Sequence, residues 1–371
     1  MKILHLLYES KGDPFGIGGV GIRAYEIYKH IKERHDVTLL CKKYPGANDG
    51  QINGLRHIFV GTESKNLTKT LLSYAYHSTL FVRRHDREFD IIIEEFSPAI
   101  PTFLHAFTKK PVILQIQGYT GKFYFKKYNP AYASILYMME QLRPMFYDNF
   151  IFVSDSTWKR YHIGNPKKNI EIILNGISEK SLGYEPEEFD YILYLGRIDI
   201  HGKGLDVLLE AYRDFYSMFP DIKLIIAGDG RDREKFSALL RRLPEGIRQN
   251  IELKGWVNGE RKAHLFKNAL MVIMPSRYES QAIVLLEAMA YAKPIIVSDI
   301  SEFCYVLQNK AGISFKTGDA LSLSQSMKEI MLSNERKEMG QRGRNWVKDF
   351  TWDKIALKYE DFLCRVLEEQ D

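Results

Sequence analysis

Along the chain, short runs of Ile, Leu and Val alternate with longer segments whose apolar residues recur every three to four positions. That rhythm marks βαβ units, because strands of a parallel sheet covered on both faces read as nearly unbroken apolar runs. In the first half it predicts strands over 2–8, 37–41, 57–60, 90–94, 112–116, 149–153 and 171–174, with helices near 20–34, 66–84, 98–108, 131–143 and 155–163. Between 175 and 190, Gly176, Gly183 and Pro186 stand among acidic and small residues, and the stretch reads as an interdomain linker. The rhythm then starts again, with strands over 191–195, 223–227, 250–253, 270–274, 295–297 and 312–315. Its helices fall near 204–218, 231–243, 259–268, 282–291 and 319–332, followed by helical pattern from about 335 to 370. No internal repeat is visible.

The expectation is α/β architecture with two doubly wound domains of similar size and a ligand cleft between them, since open parallel sheets bind at the carboxyl ends of their strands. A length of 371 residues agrees with more than one core. The 45% hydrophobic and 27% charged residues, with 26 Gly and 13 Pro, exclude collagenous, low-complexity and largely disordered chains.

The net charge of +5 is too small for a dedicated nucleic-acid binder, so no nucleic-acid partner is expected. Its distribution is more informative: residues 1–182 carry 25 Lys and Arg against 17 Asp and Glu, a surplus of +8, and residues 183–371 carry −3. Cys41, Cys304 and Cys364 lie far apart with no CxxC pair, which points away from a disulfide framework or zinc knuckle and toward a reducing compartment. No apolar run approaches the length of a membrane span, and the opening Met1-Lys2-Ile3-Leu4-His5 stretch is too short and β-like for a signal peptide. A cytoplasmic protein, touching the membrane from that side, is the expectation.

Three loops carry candidate chemistry. Gly16-Ile17-Gly18-Gly19-Val20-Gly21 precedes a helix and satisfies the dinucleotide spacing, but the next strand ends in Cys41-Lys42-Lys43 instead of a ribose-binding carboxylate. The loop can instead offer backbone N–H groups to a phosphate or sugar hydroxyl, or serve only tight strand–helix packing. Gly196-Arg197 and Gly202-Lys203-Gly204 bracket a strand-to-helix loop where two cations and a helix N-terminus can converge on a diphosphate. In the third loop, Pro275-Ser276-Arg277-Tyr278-Glu279-Ser280-Gln281-Ala282-Ile283 runs from a buried strand into a helix. Glu279 falls at the helix mouth, N–H groups of Gln281, Ala282 and Ile283 face an anion there, and Glu287 lies inside the helix among apolar neighbours.

With these elements the chain resembles glycosyltransferase family 4, retaining enzymes of the GT-B fold with two Rossmann-like domains. The resemblance rests on Gly18-Gly19, Asn175-Gly176-Ile177, Gly196-Arg197, Lys203-Gly204, Ala227-Gly228-Asp229-Gly230, Lys254-Gly255-Trp256-Val257, Pro275-Ser276 and Glu279-x7-Glu287, in family order over about 80% of the chain. It implies an acceptor-binding domain over 1–178, completed by a last helix at about 352–371, and a nucleotide-sugar domain over 188–350. It further implies that Arg197 and Lys203 grip the diphosphate, Glu287 takes the ribose hydroxyls, and backbone at Trp256 and Val257 meets the base. Glu279 would contact the donor sugar with the N–H groups of Gln281, Ala282 and Ile283, while Gly18, Gly19, Gln117, Asn175, Gly196, Gly228 and Ser280 complete the donor site. No Asp-x-Asp motif is present, so metal-independent transfer without a cofactor is expected, by the same-face mechanism proposed for the family. Cations and helix dipoles then stabilise the leaving diphosphate.

Three departures from the family stand out. Gln117 replaces a frequent histidine and can donate a hydrogen bond but cannot titrate. Ser280-Gln281-Ala282 replaces Gly-Phe-Gly, and the spacing from Arg197 to Lys203 is one residue longer than usual. The expected reaction uses a nucleoside-diphosphate sugar, preferentially UDP-linked, and a glycan or lipid-linked saccharide acceptor in polysaccharide biosynthesis. A nucleotide-sugar epimerase and a non-catalytic nucleotide-sugar-binding module are the alternatives. Basic and aromatic residues interleave over 65–87 and 122–128, where an anionic membrane surface is the expected partner, or where a helix simply has one packed and one solvated face.

Overall fold

The computed structural model describes residues 1–13, 17–64, 66–161, 168–187 and 190–369. The chain divides into two compact units, Met1–Asn175 with Trp352–Asp371, and Gly176–Thr351.

The first unit runs β1 (Lys2–Leu7), α1 (Gly19–Ile31), β2 (Asp36–Lys42), β3 (Gly50–Ile52), β4 (Leu55–Val60), α2 (Leu67–His85), β5 (Ile91–Glu95) and β6 (Val112–Ile116). It continues through α3 (Tyr124–Lys127), α4 (Pro130–Leu142), β7 (Asn149–Phe152), α5 (Asp155–Arg160) and β8 (Asn169–Ile172). Its eight strands lie in the order β3-β4-β2-β1-β5-β6-β7-β8, parallel except for the β3–β4 hairpin. Ile3 sits opposite Val37 on one side and Ile91 on the other, so β1 is the switch point.

The second unit runs β9 (Tyr191–Leu195), α6 (Leu205–Tyr216), β10 (Lys223–Ala227), α7 (Arg233–Leu240), α8 (Glu245–Gln249), β11 (Ile251–Gly255), α9 (Gly259–Asn268) and β12 (Met271–Met274). It closes with α10 (Ile283–Ala290), β13 (Ile295–Ser298), α11 (Cys304–Gln308), β14 (Gly312–Phe315), α12 (Ala320–Leu332) and α13 (Arg336–Val347). All six strands are parallel, in the order β11-β10-β9-β12-β13-β14, with the switch point at β9. Both sheets are therefore Rossmann-like, as the apolar runs predict. Helix α6 shows why the pattern works: Leu205, Leu208, Leu209, Tyr212 and Phe215 recur at helical spacing, and all are buried.

The chain returns to the first unit as α14 (Trp352–Glu368). Tyr359 meets Tyr28 of α1 edge to face at 6.3 Å, Glu360 pairs with Arg34 and His35, and Lys358 and Arg365 pair with Glu171. The helical pattern over 335–370 thus contains a break. It falls at 348–351, where Ile177 N–H donates to Phe350 O at 2.9 Å and Ile177 bridges Thr351.

The helix expected over 98–108 is absent except for one turn at Leu104–Ala106. Pro101 brings no N–H, and the buried Arg143 guanidinium takes the Ser97 and Ile100 carbonyls at 3.0 and 2.8 Å, so an irregular loop is satisfied without helical bonds. Strand β3, α3, α8 and α11 escape the periodicity because each spans only three to five residues. Among the described residues no helix is long and apolar enough to cross a membrane.

Candidate active site

At the carboxyl end of the second sheet, three loops are laced together by backbone. Gly196 N–H donates to Ala227 O at 3.0 Å and Ile198 N–H to Asp229 O at 2.9 Å, which ties the loop after β9 to the loop after β10. Gly228 N–H then reaches Gly255 O at 2.7 Å, beside exposed Trp256 and half-buried Val257. This approach requires glycine: Gly228 has φ +141°, and a Cβ there would stand 1.9 Å from the Gly196 carbonyl oxygen. Gly204, at φ +64°, similarly lets the start of α6 close on Pro275 O, 2.0 Å from where its Cβ would be.

The loop after β12 is fastened to the same place. Arg277 N–H donates to Gly202 O at 3.1 Å, and its guanidinium holds Asp206 through two 2.8 Å bonds. Lys203 consequently meets Glu279: its ammonium donates to Glu279 Oε1, and Ser276 Oγ donates to the same oxygen at 3.2 Å. The two side chains keep 22% and 12% of their exposure, so the pair is reachable from solvent. Glu279 Oε2 has no hydrogen-bond partner among the described residues. Arg197 is exposed at the end of β9, with the Tyr194 hydroxyl donating to its carbonyl at 2.9 Å.

Helix α10 starts one residue later than the sequence reading has it. Ala282 is the N-cap, without a side-chain cap, and Gln281 before it is buried. The first-turn donors without an intrahelical partner are therefore those of Ile283 and Val284, and Gln281 lies ahead of the cap. Glu287, in the second turn, accepts from Lys262 Nζ at 2.5 Å, and its other oxygen is buried without a partner. Lys262 comes from α9 and carries no signal in the sequence, since only the packing of α9 and α10 brings it to a carboxylate 25 residues away.

The remaining expected residues, Gly18, Gly19, Gln117 and Asn175, belong to the first unit. Gly16 lies outside the described residues. Gly18 caps α1, but its N–H is not an open donor: Gly18 and Gly21 N–H both donate to Glu9 Oε2, at 2.8 and 2.9 Å. Gln117 already uses donor capacity inside the protein: its Nε2 donates to both oxygens of buried Glu95, at 3.1 and 3.0 Å. Gln115 and His5 close around the same carboxylate. Asn175 is buried and accepts from Arg23 at 3.0 Å, and burial pulls the Arg23 guanidinium down to about 10. Among the described residues no three His, Cys, Asp or Glu side chains gather into a metal site.

Two family models cover these units in succession, "Glycosyltransferase Family 4" over residues 17–180 and "Glycosyl transferases group 1" over residues 179–346. The chain belongs to glycosyltransferase family 4. In fold, this family 4 chain matches sucrose-phosphate synthase from Thermosynechococcus elongatus with a TM-score of 0.80 over 100% of both chains, at 18% identity. It also matches HepE of Anabaena, solved in complex with UDP-glucose, with a TM-score of 0.73 over 98% of this chain and 100% of that one, at 15% identity. These neighbours share the GT-B architecture. Phosphatidyl-myo-inositol mannosyltransferase of Mycobacterium leprae is 30% identical over 217 residues, 56% of each chain. The family 4 chain spans about half the length of the curated relatives it matches.

Proposed function

We propose that this protein transfers a sugar, with retention and without a metal, from a nucleoside-diphosphate sugar to a glycan or lipid-linked saccharide. The unit Gly176–Thr351 binds the donor, and the other unit binds the acceptor. The observation that carries the reading is the convergence of Lys203, Glu279 and Ser276 beside Arg197 at the switch point of the second sheet, where diphosphates are bound in doubly wound folds. A UDP-sugar is favoured, because HepE, of the same fold, holds UDP-glucose. The mannosyltransferase relative supports a lipid-borne acceptor.

In this reading Lys203 and Arg197 take up charge developing on the leaving diphosphate, and the first-turn N–H groups of α10 add to it. Glu279 Oε2 accepts a hydroxyl of the transferred sugar. The orphaned Glu287 Oε2 accepts a ribose hydroxyl, which gives a buried carboxylate oxygen the donor it lacks. Leaving-group oxygen helps remove the proton of the incoming acceptor hydroxyl on the same face. The work is done on the cytoplasmic side.

The test is a calorimetric and mass-spectrometric screen of UDP-, GDP-, ADP- and dTDP-sugars for binding and slow donor hydrolysis, followed by proton NMR of the product. One nucleotide class should bind, and an α-linked donor should give an α-linked product. Inversion at the anomeric carbon, or epimerised donor formed without acceptor, would overturn the proposal.

A further inference from the structure

We propose that Glu95 is a positioning residue, which sets the side-chain amide of Gln117 for contact with a substrate sugar. Glu95 ends β5 and Gln117 follows the end of β6, and the order β1-β5-β6 puts both at the carboxyl edge of the first sheet beside its switch point. That edge is where doubly wound sheets take ligands. Gln117 is half-buried there, whereas the Glu95 side chain keeps 1% of its exposure. Glu95 can therefore influence a substrate only through the groups that it holds.

Those groups are the amides of Gln115 and Gln117 and the imidazole of His5. In the sheet register Gln115 lies opposite Glu95, and Gln117, two residues further, shares its face. Glu95 Oε1 accepts from Gln115 Nε2 at 2.5 Å and from Gln117 Nε2 at 3.1 Å, and Oε2 accepts from Gln117 Nε2 at 3.0 Å. His5, on β1, brings Nε2 to 3.3 Å from Oε1 and is itself fixed, with Nδ1 2.7 Å from the Tyr28 hydroxyl. The neighbouring Glu94 does not compete for Gln117, because Arg143 and the Tyr147 hydroxyl hold it in a separate buried cluster.

The two ends of an amide have nearly the same shape and opposite hydrogen-bonding sense. A carboxylate only accepts, so Glu95 admits the nitrogen of Gln117 and repels its carbonyl oxygen. The orientation of the amide, and with it the pattern of donor and acceptor that a sugar hydroxyl meets, follows from Glu95. Gln in place of Glu95 keeps the shape but both accepts and donates, and the amide of Gln117 then loses its fixed sense. A misplaced polar contact of this kind slows a reaction more than it weakens nucleotide binding. The inference rests on the transferase reading for its substrate, while the hold on the amide is measurable without one.

The test uses the full chain as wild type, Glu95→Gln, Gln117→Ala and the double variant, with thermal midpoints to show that each folds. Proton–nitrogen NMR follows the side-chain amide of Gln117, assigned by its loss in Gln117→Ala. Its protons should exchange with water about tenfold more slowly in the wild type than in Glu95→Gln. With UDP-glucose as donor, and GDP-mannose where UDP-glucose is not turned over, Glu95→Gln should lower kcat for donor hydrolysis about tenfold and leave nucleoside-diphosphate affinity within about twofold. In the Gln117→Ala background it should add nothing, whereas a merely structural role would slow both backgrounds alike. Equal amide exchange in the wild type and Glu95→Gln overturns the proposal, as does wild-type kcat in Glu95→Gln or a further loss in the double variant. Each of these leaves the transferase reading standing. A wild type that turns over neither donor defeats that reading itself and takes the proposal with it.

Discussion

Replacing Glu279 with Gln should tighten the binding of UDP while slowing transfer. In the ligand-free protein the Lys203 ammonium donates to Glu279 Oε1, so a diphosphate that uses Lys203 must share it with a carboxylate of its own sign. Two like charges about 6 Å apart repel by about 1.4 kcal/mol at an effective dielectric near 40, between water and a partly buried site. That corresponds to about tenfold in affinity. Against it stands the loss of order in Lys203, worth about 0.5–1.5 kcal/mol for a long side chain. The Gln carbonyl still accepts from Lys203 and Ser276, so only part of that ordering is lost and the repulsive term wins. UDP affinity should rise about three- to tenfold. Transfer should fall about 10- to 100-fold, because a charged acceptor toward the sugar hydroxyl is worth about 1.5–3 kcal/mol and is now neutral. Lys203→Met should do the opposite to UDP, weakening it about 10- to 100-fold. Calorimetry with UDP on the three proteins, paired with initial rates, separates these. If Glu279→Gln weakens UDP as much as Lys203→Met does, Glu279 serves to position the lysine and the assignment to the sugar is wrong.

Gly228→Ala should lower folding stability by about 2–4 kcal/mol, read as a fall in denaturant midpoint, because its Cβ would stand 1.9 Å from the Gly196 carbonyl oxygen at a φ that L-residues rarely adopt. Lys262→Met should cost about 1–2 kcal/mol by stranding Glu287, whose side chain is 18% exposed, and the double variant with Glu287→Gln should recover most of it. Glu360 is held down at about 2, first by hydrogen bonding to Arg34 and then by His35. Since its folded value lies below the ordinary 4.5, its stabilisation is complete above that pH and is lost as pH falls through about 2. Arg34 is half exposed, so the loss should be about 1 kcal/mol or less, seen as faster hydrogen exchange in α14.

The parallel sheets were legible because their strands are buried on both faces, and β6, β9, β10 and β14 match their predicted bounds residue for residue. What stayed hidden depends on distant partners. The 98–108 segment has apolar residues at helical spacing, but Arg143, more than forty residues away, satisfies its carbonyls in another conformation. Strand β3 is short, exposed and paired only with β4, so it leaves almost no apolar trace. At the site, Glu279, Glu287, Lys203 and Arg197 stand out through spacing and loop position. Lys262 does not, because no local pattern links α9 to α10, and Glu9 does not, because a glycine-rich helix start gives no indication of which anion already caps it.

Glu9 and Glu279 share a physical logic. In each unit, at the carboxyl end of a switch-point strand, a protein carboxylate already stands where an anionic ligand is expected: Glu9 on the N–H groups of Gly18 and Gly21, Glu279 on Lys203. On the proposed reading, a diphosphate arriving at Lys203 would exchange one anionic partner for another, and its affinity would be a difference between two charge-assisted contacts rather than the whole of one. Exchange keeps the cation oriented before the ligand arrives, which lowers the ordering cost of binding. On the same reading it would keep a leaving nucleoside diphosphate from being held at full strength, since Glu279 would take Lys203 back. Among the described residues Arg197 makes no ion pair, so it alone of the expected cations offers an attraction not offset by a lost partner. The net charge of the second half, −3, hides this arrangement, because what a diphosphate meets is set by which cations are already paired and not by their number.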